Sequence, residues 1–189
     1  AKALEKLKQL EVNMIAPSHG IIFKTPERIL RLYSRWVSGK LAHSVLIAYV
    51  SMWGSSEKMA KELEKKLREK GVVVSIYDLQ RADLGEIARD LVDTACIVVS
   101  APTFLQGVHP SGMLATYLVK GLKPPAKYAA VLSSYGWAPS AGKAVSEMLA
   151  GTGIELLGSV EAKARPKQAD YEKIASLAET ISAKLGALE

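Results

Sequence analysis

Residues 51–56, with the sequence Ser-Met-Trp-Gly-Ser-Ser, join an apolar stretch directly to a stretch with helical periodicity. The free N–H groups and the positive dipole end of such a helix favour a phosphate. The serine hydroxyls can add hydrogen bonds, and Gly54 permits a tight backbone turn. Because the loop lacks the Gly-Lys-Ser/Thr of a triphosphate loop, a phosphate monoester is the better match. A serine cap on an ordinary helix explains these residues equally well.

Two further loops, residues 101–110 and 134–139, also follow apolar stretches. Each combines glycine with an aromatic residue, Phe104 in one loop and Tyr135 and Trp137 in the other. Aromatic side chains supply stacking area for a flat ligand, and glycine lets the backbone come close to it. A plain packing role explains each aromatic residue taken singly. Three such loops together favour a planar phosphorylated ligand, and an isoalloxazine ring needs such a slot.

The elements that must position these loops alternate regularly along the chain. Short apolar runs predict strands at residues 44–50, 72–77, 95–100, 128–133 and 154–160, and amphipathic stretches predict helices at 55–70, 84–92, 111–121, 139–151 and 171–185. This alternation predicts a three-layer α/β domain with a five-stranded parallel sheet in the flavodoxin-like order 2-1-3-4-5. In such a sheet, ligands bind beyond the carboxyl ends of the strands, where the three loops lie.

Residues 1–43 do not belong to that alternation. They predict a helix to about residue 10, a short strand at 12–16, a turn at 17–20 and a helix at 26–37. So small a segment cannot bury a core of its own. The sequence therefore predicts the tail of an upstream domain at residues 1–43, followed by a complete domain at 44–189.

Composition excludes several classes of protein. The net charge is +6, but the basic residues are spread out and mixed with acids, which is typical of solvated helix faces rather than of nucleic-acid binding. Cys96 is the single cysteine, which excludes an intrachain disulfide framework and favours a reducing cytoplasm. No apolar run is long enough for a membrane helix. A lone asparagine beside abundant Lys and Glu is typical of a thermophile.

No hydrolytic triad, HExxH or CxxC motif is present. Cys96 lies in the middle of a predicted strand and is expected to be a buried, inert thiol. His109 lies between two apolar residues in the second loop and is expected to be structural. The motifs leave open whether this chain is itself an enzyme, and they assign no catalytic side chain.

Residues 51–60, then 101–103 and 134–137, resemble the flavodoxin domain of the flavodiiron proteins, also called A-type flavoproteins or rubredoxin:oxygen oxidoreductases. The resemblance covers roughly residues 44–186 and implies non-covalent binding of FMN. It places the phosphate on Ser51, Met52, Trp53, Gly54, Ser55 and Ser56. It places the ring between two walls, formed by Pro102, Thr103, Phe104, Leu105, Gln106 and Gly107 on one side and Ser134, Tyr135, Gly136, Trp137 and Ala138 on the other.

The N-terminal piece extends the resemblance. Residues 15–20 are similar to the last stretch of the metallo-β-lactamase-like domain that precedes the flavodoxin domain in this family. The family has an iron ligand at the position of His19, but a single histidine cannot hold a di-iron centre. The resemblance therefore implies a remnant at residues 1–43 and no metal in this chain.

The intact protein would be a cytoplasmic reductase of dioxygen or nitric oxide. By the resemblance, FMN would accept electrons from a rubredoxin or a similar carrier and pass them to the di-iron site, across a head-to-tail homodimer. Two other functions remain open on the residues alone. One is an FMN-dependent NAD(P)H:quinone reductase on the same fold, and the other is a flavodoxin-like interaction module without a cofactor.

Overall fold

The computed structural model describes residues 2–7 and 9–188, which fall into two compact units. The first unit ends at Lys40 and contains helices α1 (Lys2–Leu7) and α2 (Pro26–Trp36). The strand predicted at residues 12–16 is wrong, because only an isolated bridge between Ile15 and Phe23 forms there. Its two backbone N–H···O bonds measure 3.0 and 2.9 Å.

The second unit begins at Leu41 and carries the alternating elements. Its strands are β1 (Ala42–Tyr49), β2 (Val73–Asp78), β3 (Thr94–Ser100), β4 (Thr103–Phe104), β5 (Gly107–Val108), β6 (Tyr128–Tyr135) and β7 (Glu155–Lys163). Its helices are α3 (Ser55–Glu69), α4 (Leu84–Asp90), α5 (Pro110–Leu122), α6 (Ala141–Leu149) and α7 (Gln168–Gly186).

The main sheet has five parallel strands in the order β2-β1-β3-β6-β7. Counted without the short pair β4–β5, this is the predicted order 2-1-3-4-5, and the predicted flavodoxin-like fold is confirmed. Every residue of the central strand β3 is buried, including Cys96, because helices cover both faces of the sheet. The apolar run at residues 95–100 reflects this two-sided burial.

Two hydrophobic clusters fill the space between the sheet and its helices. Along β1, Val45 and Ile47 face the cluster under α3 and α7, whereas Leu46 and Ala48 face the cluster under α4, α5 and α6. Alternate strand residues point to opposite faces of a sheet, so one short strand feeds both clusters. The result is the predicted three-layer arrangement.

Local chemistry sets some helix and strand ends, and strand pairing sets others. Asp83 caps α4 as predicted, since its side chain accepts a hydrogen bond from the Gly85 N–H at 2.6 Å. Strand β6 runs to Tyr135, beyond the predicted end at residue 133, because its pairing with β7 continues to Tyr135 opposite Lys163. The antiparallel pair β4–β5 was not predicted at all.

Candidate functional site

The loops after β1, β3 and β6 meet at the carboxyl edge of the sheet and enclose a cleft of about 530 Å³, called here the loop cleft. Most of the residues predicted from the sequence line it. They are Ser51, Met52, Trp53, Ser55, Pro102, Thr103, Phe104, Leu105, Ser134, Tyr135, Gly136 and Trp137. The sheet topology brings these residues together, because all three loops leave neighbouring parallel strands at the same edge.

The start of α3 forms one end of the loop cleft. Gly54 precedes the helix with a left-handed φ of 79° and contributes no side-chain cap. Ser56 is buried just inside the helix, where its Oγ lies 3.3 Å from Ser134 Oγ and its carbonyl accepts a hydrogen bond from Ser100 Oγ at 2.9 Å. These contacts hold the helix start against β3 and β6. The first N–H groups of α3 have no side-chain cap, as a site for an anion requires.

Two hydroxyls in the cleft are buried without a partner. Within the described part of the chain, Ser51 Oγ and Thr103 Oγ1 make no hydrogen bond. A buried polar group left unpaired costs about 1–3 kcal/mol, so such groups are uncommon in folded proteins. Ser51 follows β1 and Thr103 follows β3, and both line the loop cleft. A bound molecule with polar atoms would satisfy both hydroxyls.

A small hairpin forms the second side of the cleft. In β4–β5, Thr103 pairs with Val108 and Phe104 with Gly107, which leaves Leu105 and Gln106 as the turn. Both turn residues have positive φ, 47° and 60°, in a two-residue turn of the kind that favours Asn and Gly. Non-glycine residues in this conformation are strained, and such strain clusters at functional sites.

The base of the hairpin is anchored by His109. Its backbone N–H donates to the Pro102 carbonyl at 3.1 Å, and its Nδ1 accepts from the Ser111 N–H at 3.2 Å as the cap of α5. Its ring lies 5.8 Å from that of Phe104, at an angle of 61°. His109 therefore has the structural role expected from the sequence.

The third side of the cleft begins on strand β6 itself. Ser134 and Tyr135 are the last residues of the strand, and only Gly136, Trp137 and Ala138 belong to the loop that follows. The Trp137 side chain is 99% exposed and that of Trp53, on the facing loop, is 89% exposed. Two exposed indoles at the rim of one cleft supply stacking surface for a flat ring.

Five predicted residues lie outside the loop cleft. Gly54 lines a groove between α3 and α7, and Ser56 is buried beneath the first loop. Gln106 and Ala138 line a neighbouring cleft of about 700 Å³, which shares Trp137 with the first. Gly107 lies in β5, and its carbonyl accepts a hydrogen bond from Ser140 Oγ at 3.4 Å.

Two residues that line the loop cleft were missed by sequence reasoning. Ala164 and Arg165 follow β7, the edge strand, and reach the cleft from the side of β6. The loop after β7 has neither glycine nor aromatic residues, so the pattern used for the other loops did not find it. The sequence signal that could have indicated this loop is Arg165, a basic residue that follows a predicted strand at the same edge of the sheet.

The remaining candidate groups make no second site. Burial raises the pKa of the Cys96 thiol far above its ordinary value, which agrees with the inert role expected. His19 is exposed in the first unit, and no group of three His, Cys, Asp or Glu among the described residues could hold a metal ion. Within residues 2–7 and 9–188, no helix is both long and apolar enough to cross a membrane.

Fold and cleft together define a doubly wound, flavodoxin-like α/β protein whose loop cleft lies at the point where the strand order reverses, the usual place of a ligand in such folds. Comparison with known families agrees, because the model of the family described as Flavodoxin matches residues 47–177. The chain therefore belongs to the flavodoxin family, and its flavodoxin-like domain is that of the flavodiiron proteins, as the following relatives show.

The solved structure of the rubredoxin oxygen:oxidoreductase from the anaerobe Desulfovibrio gigas superposes with a TM-score of 0.87 at 31% identity and covers 99% of this chain and 48% of that one. Nitric oxide reductase from Moorella thermoacetica is 31% identical over 97% of this chain and 47% of its own length. Coenzyme F420H2 oxidase from Methanothermobacter marburgensis is 34% identical over 82% and 40%. The chain thus spans about half the length of these relatives. The resemblance drawn from the sequence is confirmed.

Proposed function

We propose that this chain is the FMN-binding electron-transfer domain of a flavodiiron-type oxidoreductase. The observation that supports this most directly is a pair of buried hydroxyls without a partner, Ser51 Oγ and Thr103 Oγ1, on residues that line the loop cleft. An apolar ligand would leave both hydroxyls unpaired. A ligand with a phosphate, a ribityl chain and a polar ring edge has hydrogen-bond acceptors and donors for both. The residues of the cleft therefore fit FMN.

The chain's own residues would divide the work along the cleft. Ser51 and Ser55, with the first N–H groups of α3, would hold the phosphate end. Trp53 and Trp137 would cover the ring and keep water from it, which strengthens every polar contact inside. Bound FMN supplies the redox chemistry, and the protein sets its potential through the groups placed around the ring. No side chain acts as acid, base or nucleophile.

The finer assignments rest on the relatives. We propose that electrons arrive from a rubredoxin-like carrier and leave toward a di-iron site that reduces dioxygen or nitric oxide. That site would use His19 only together with ligands from a longer protein. A homodimer would place the flavin of one subunit beside the irons of the other. In this proposal, the residues described here bind the flavin and do not form the di-iron site.

The test begins with the flavin itself. Purified protein titrated with FMN is expected to bind one FMN per chain, with a shifted absorption spectrum and quenched flavin fluorescence. Protein that stays colourless and leaves the fluorescence of FMN unchanged would contradict the proposal and favour an interaction module without a cofactor.

A second measurement separates electron transfer from quinone reduction. Bound flavin is expected to be reduced rapidly by reduced rubredoxin and slowly by NAD(P)H, under anaerobic conditions in a stopped-flow spectrometer. Rapid bleaching by NADH or NADPH with turnover of a quinone would instead identify a quinone reductase. Reduced coenzyme F420, the substrate named for one relative, serves as a third donor in the same assay.

A further inference from the structure

The phosphate end of the loop cleft, as built from residues 51–56, offers only neutral donors. A phosphate monoester carries between one and two negative charges at neutral pH, and the dipole of α3 offsets about half a charge. Lys58, the nearest cation in sequence, lies on α3 and lines the groove between α3 and α7 rather than the loop cleft. A cation from another element would therefore strengthen phosphate binding at this end.

Arg165 is the cationic residue that lines the loop cleft. It takes part in no ion pair among the residues that the structure describes, so its guanidinium is available to a ligand. Arginine binds phosphate through two parallel N–H···O bonds, which lysine cannot do.

The backbone on both sides of Arg165 is fixed. Ala164 has a positive φ of 59°, a strained conformation for alanine, and its N–H donates to the Tyr135 carbonyl at 2.8 Å. Pro166 follows Arg165 and disfavours a helical backbone at that residue. Arg165 is therefore presented from a rigid corner that is attached to the end of β6, which lowers the entropy lost when it binds a ligand.

The course of the chain places Arg165 near the phosphate end. Gly54 and Glu57, at the start of α3, share a groove with Gln168 and Tyr171, at the start of α7. The segment just before Gln168 therefore passes beside the first turn of α3. Arg165 belongs to that segment and lines the same cleft as Ser51 and Ser55.

We propose that Arg165 pairs with the phosphate of bound FMN and makes this domain select the phosphorylated flavin over riboflavin. This inference rests on the proposed function, since it requires that FMN binds in the loop cleft. It assigns a role in cofactor specificity to the loop after β7.

The test compares FMN and riboflavin as ligands of the apoprotein in its full 189-residue form. Dissociation constants come from quenching of flavin fluorescence, at low and at high ionic strength. Arg165→Gln is expected to weaken FMN binding by about 10-fold to 100-fold, the range for a lost charge-assisted hydrogen bond, and to leave riboflavin binding unchanged. The salt dependence of FMN binding should decrease in the same variant.

Lys163→Gln is the matched control, because it removes the same charge two residues away from an exposed position outside the cleft. It is expected to bind both flavins like the parent protein. Arg165→Lys keeps the charge and loses the bidentate geometry, so its affinity for FMN should lie between those of the parent and Arg165→Gln.

Two outcomes would overturn the inference. Equal losses of FMN and riboflavin affinity in Arg165→Gln would place the guanidinium at the ring or in the fold, and unchanged FMN affinity would give it no role. Both leave the proposed function intact, because the parent protein still binds FMN. Failure of the parent protein to bind FMN would instead remove the proposed function itself.

Discussion

The two ends of the loop cleft differ in how they are built. At the start of α3, Ser56 is 1% exposed and is tied to strands β3 and β6 by hydrogen bonds. At the other end, Trp137 is 99% and Leu105 is 87% exposed, and the turn of the hairpin is strained. Core packing holds the end at α3, called here the helix end. Few contacts hold the other end, called here the ring end because the flavin ring is proposed to bind there. Changes at the two ends should therefore affect different measurable quantities.

The largest effect is expected from Ser56→Leu at the helix end. The larger side chain does not fit the buried site and removes the contact with Ser134 Oγ. Overpacking of this kind costs about 1–3 kcal/mol, and the free energy of unfolding of the apoprotein should fall by that amount. Denaturation by urea measures it. Ser56→Ala is the control without added volume and should cost about 1 kcal/mol, for the lost hydrogen bond. If the Ser56→Leu variant were as stable as the parent, core packing would not be what holds the start of α3.

Trp137→Ala at the ring end should have the opposite signature. Because the indole is almost fully exposed, the free energy of unfolding of the apoprotein should change by less than about 0.5 kcal/mol. Loss of a stacking face should weaken FMN binding by about 10-fold, by analogy with aromatic stacking on bases. Tyr117→Ala, an exposed aromatic residue on α5 outside the cleft, should leave FMN binding unchanged. If Trp137→Ala and Tyr117→Ala weakened FMN binding equally, Trp137 would have no specific role at the ring end.

Relief of strain in the hairpin should give a smaller effect of opposite sign. Replacing Leu105 with Asn and Gln106 with Gly supplies the residues that this turn favours. The apoprotein should gain up to about 1 kcal/mol in the free energy of unfolding, measured by urea denaturation. Lys123→Gly, at a position with a φ of 49° after α5, relieves similar strain away from the cleft. Only the double change should also alter the affinity for FMN.

The effect that is smallest near neutral pH concerns a residue outside the cleft, because it develops only at high pH. Burial, and the hydrogen bond from Tyr77 OH to Asp90 Oδ2 at 2.6 Å, raise the pKa of Tyr77 from 10.0 to about 12. The unfolded chain therefore loses this proton first, and stability should fall as the pH rises from 10.0 to about 12. Urea denaturation across this range measures the slope. Tyr77→Phe should reduce the slope, and an unchanged slope in that variant would assign it to other groups.

The fold could be predicted to a large extent from the apolar runs. A buried parallel strand such as Thr94–Ser100 needs apolar residues on both faces, so burial is directly visible in the sequence. The helix that begins at Ser55 was visible for the same reason, because one of its faces packs on the sheet. Strand β6 ends later than expected because its last residues, Ser134 and Tyr135, are polar or aromatic and are held by pairing with β7.

Less of the candidate site than of the fold could be predicted from the sequence. The hairpin escaped prediction because its turn, Leu105 and Gln106, lacks the glycine or asparagine that marks such turns. The unpaired state of Ser51 Oγ and Thr103 Oγ1 depends on neighbours that are distant in sequence, so composition could not reveal it.

The sequence by itself determined the kind of protein. Its apolar periodicity predicts a doubly wound sheet, and its serine-glycine loop before a helix predicts an anion site at the sheet edge, since both predictions rest on local residue type and spacing. Only the tertiary structure decided which residues share the cleft. Arg165 follows the edge strand β7 and lines the same cleft as Ser51 and Ser55, because the chain passes from β7 to helix α7 beside the start of α3. Such a contact depends on the crossing of elements, which no local pattern encodes.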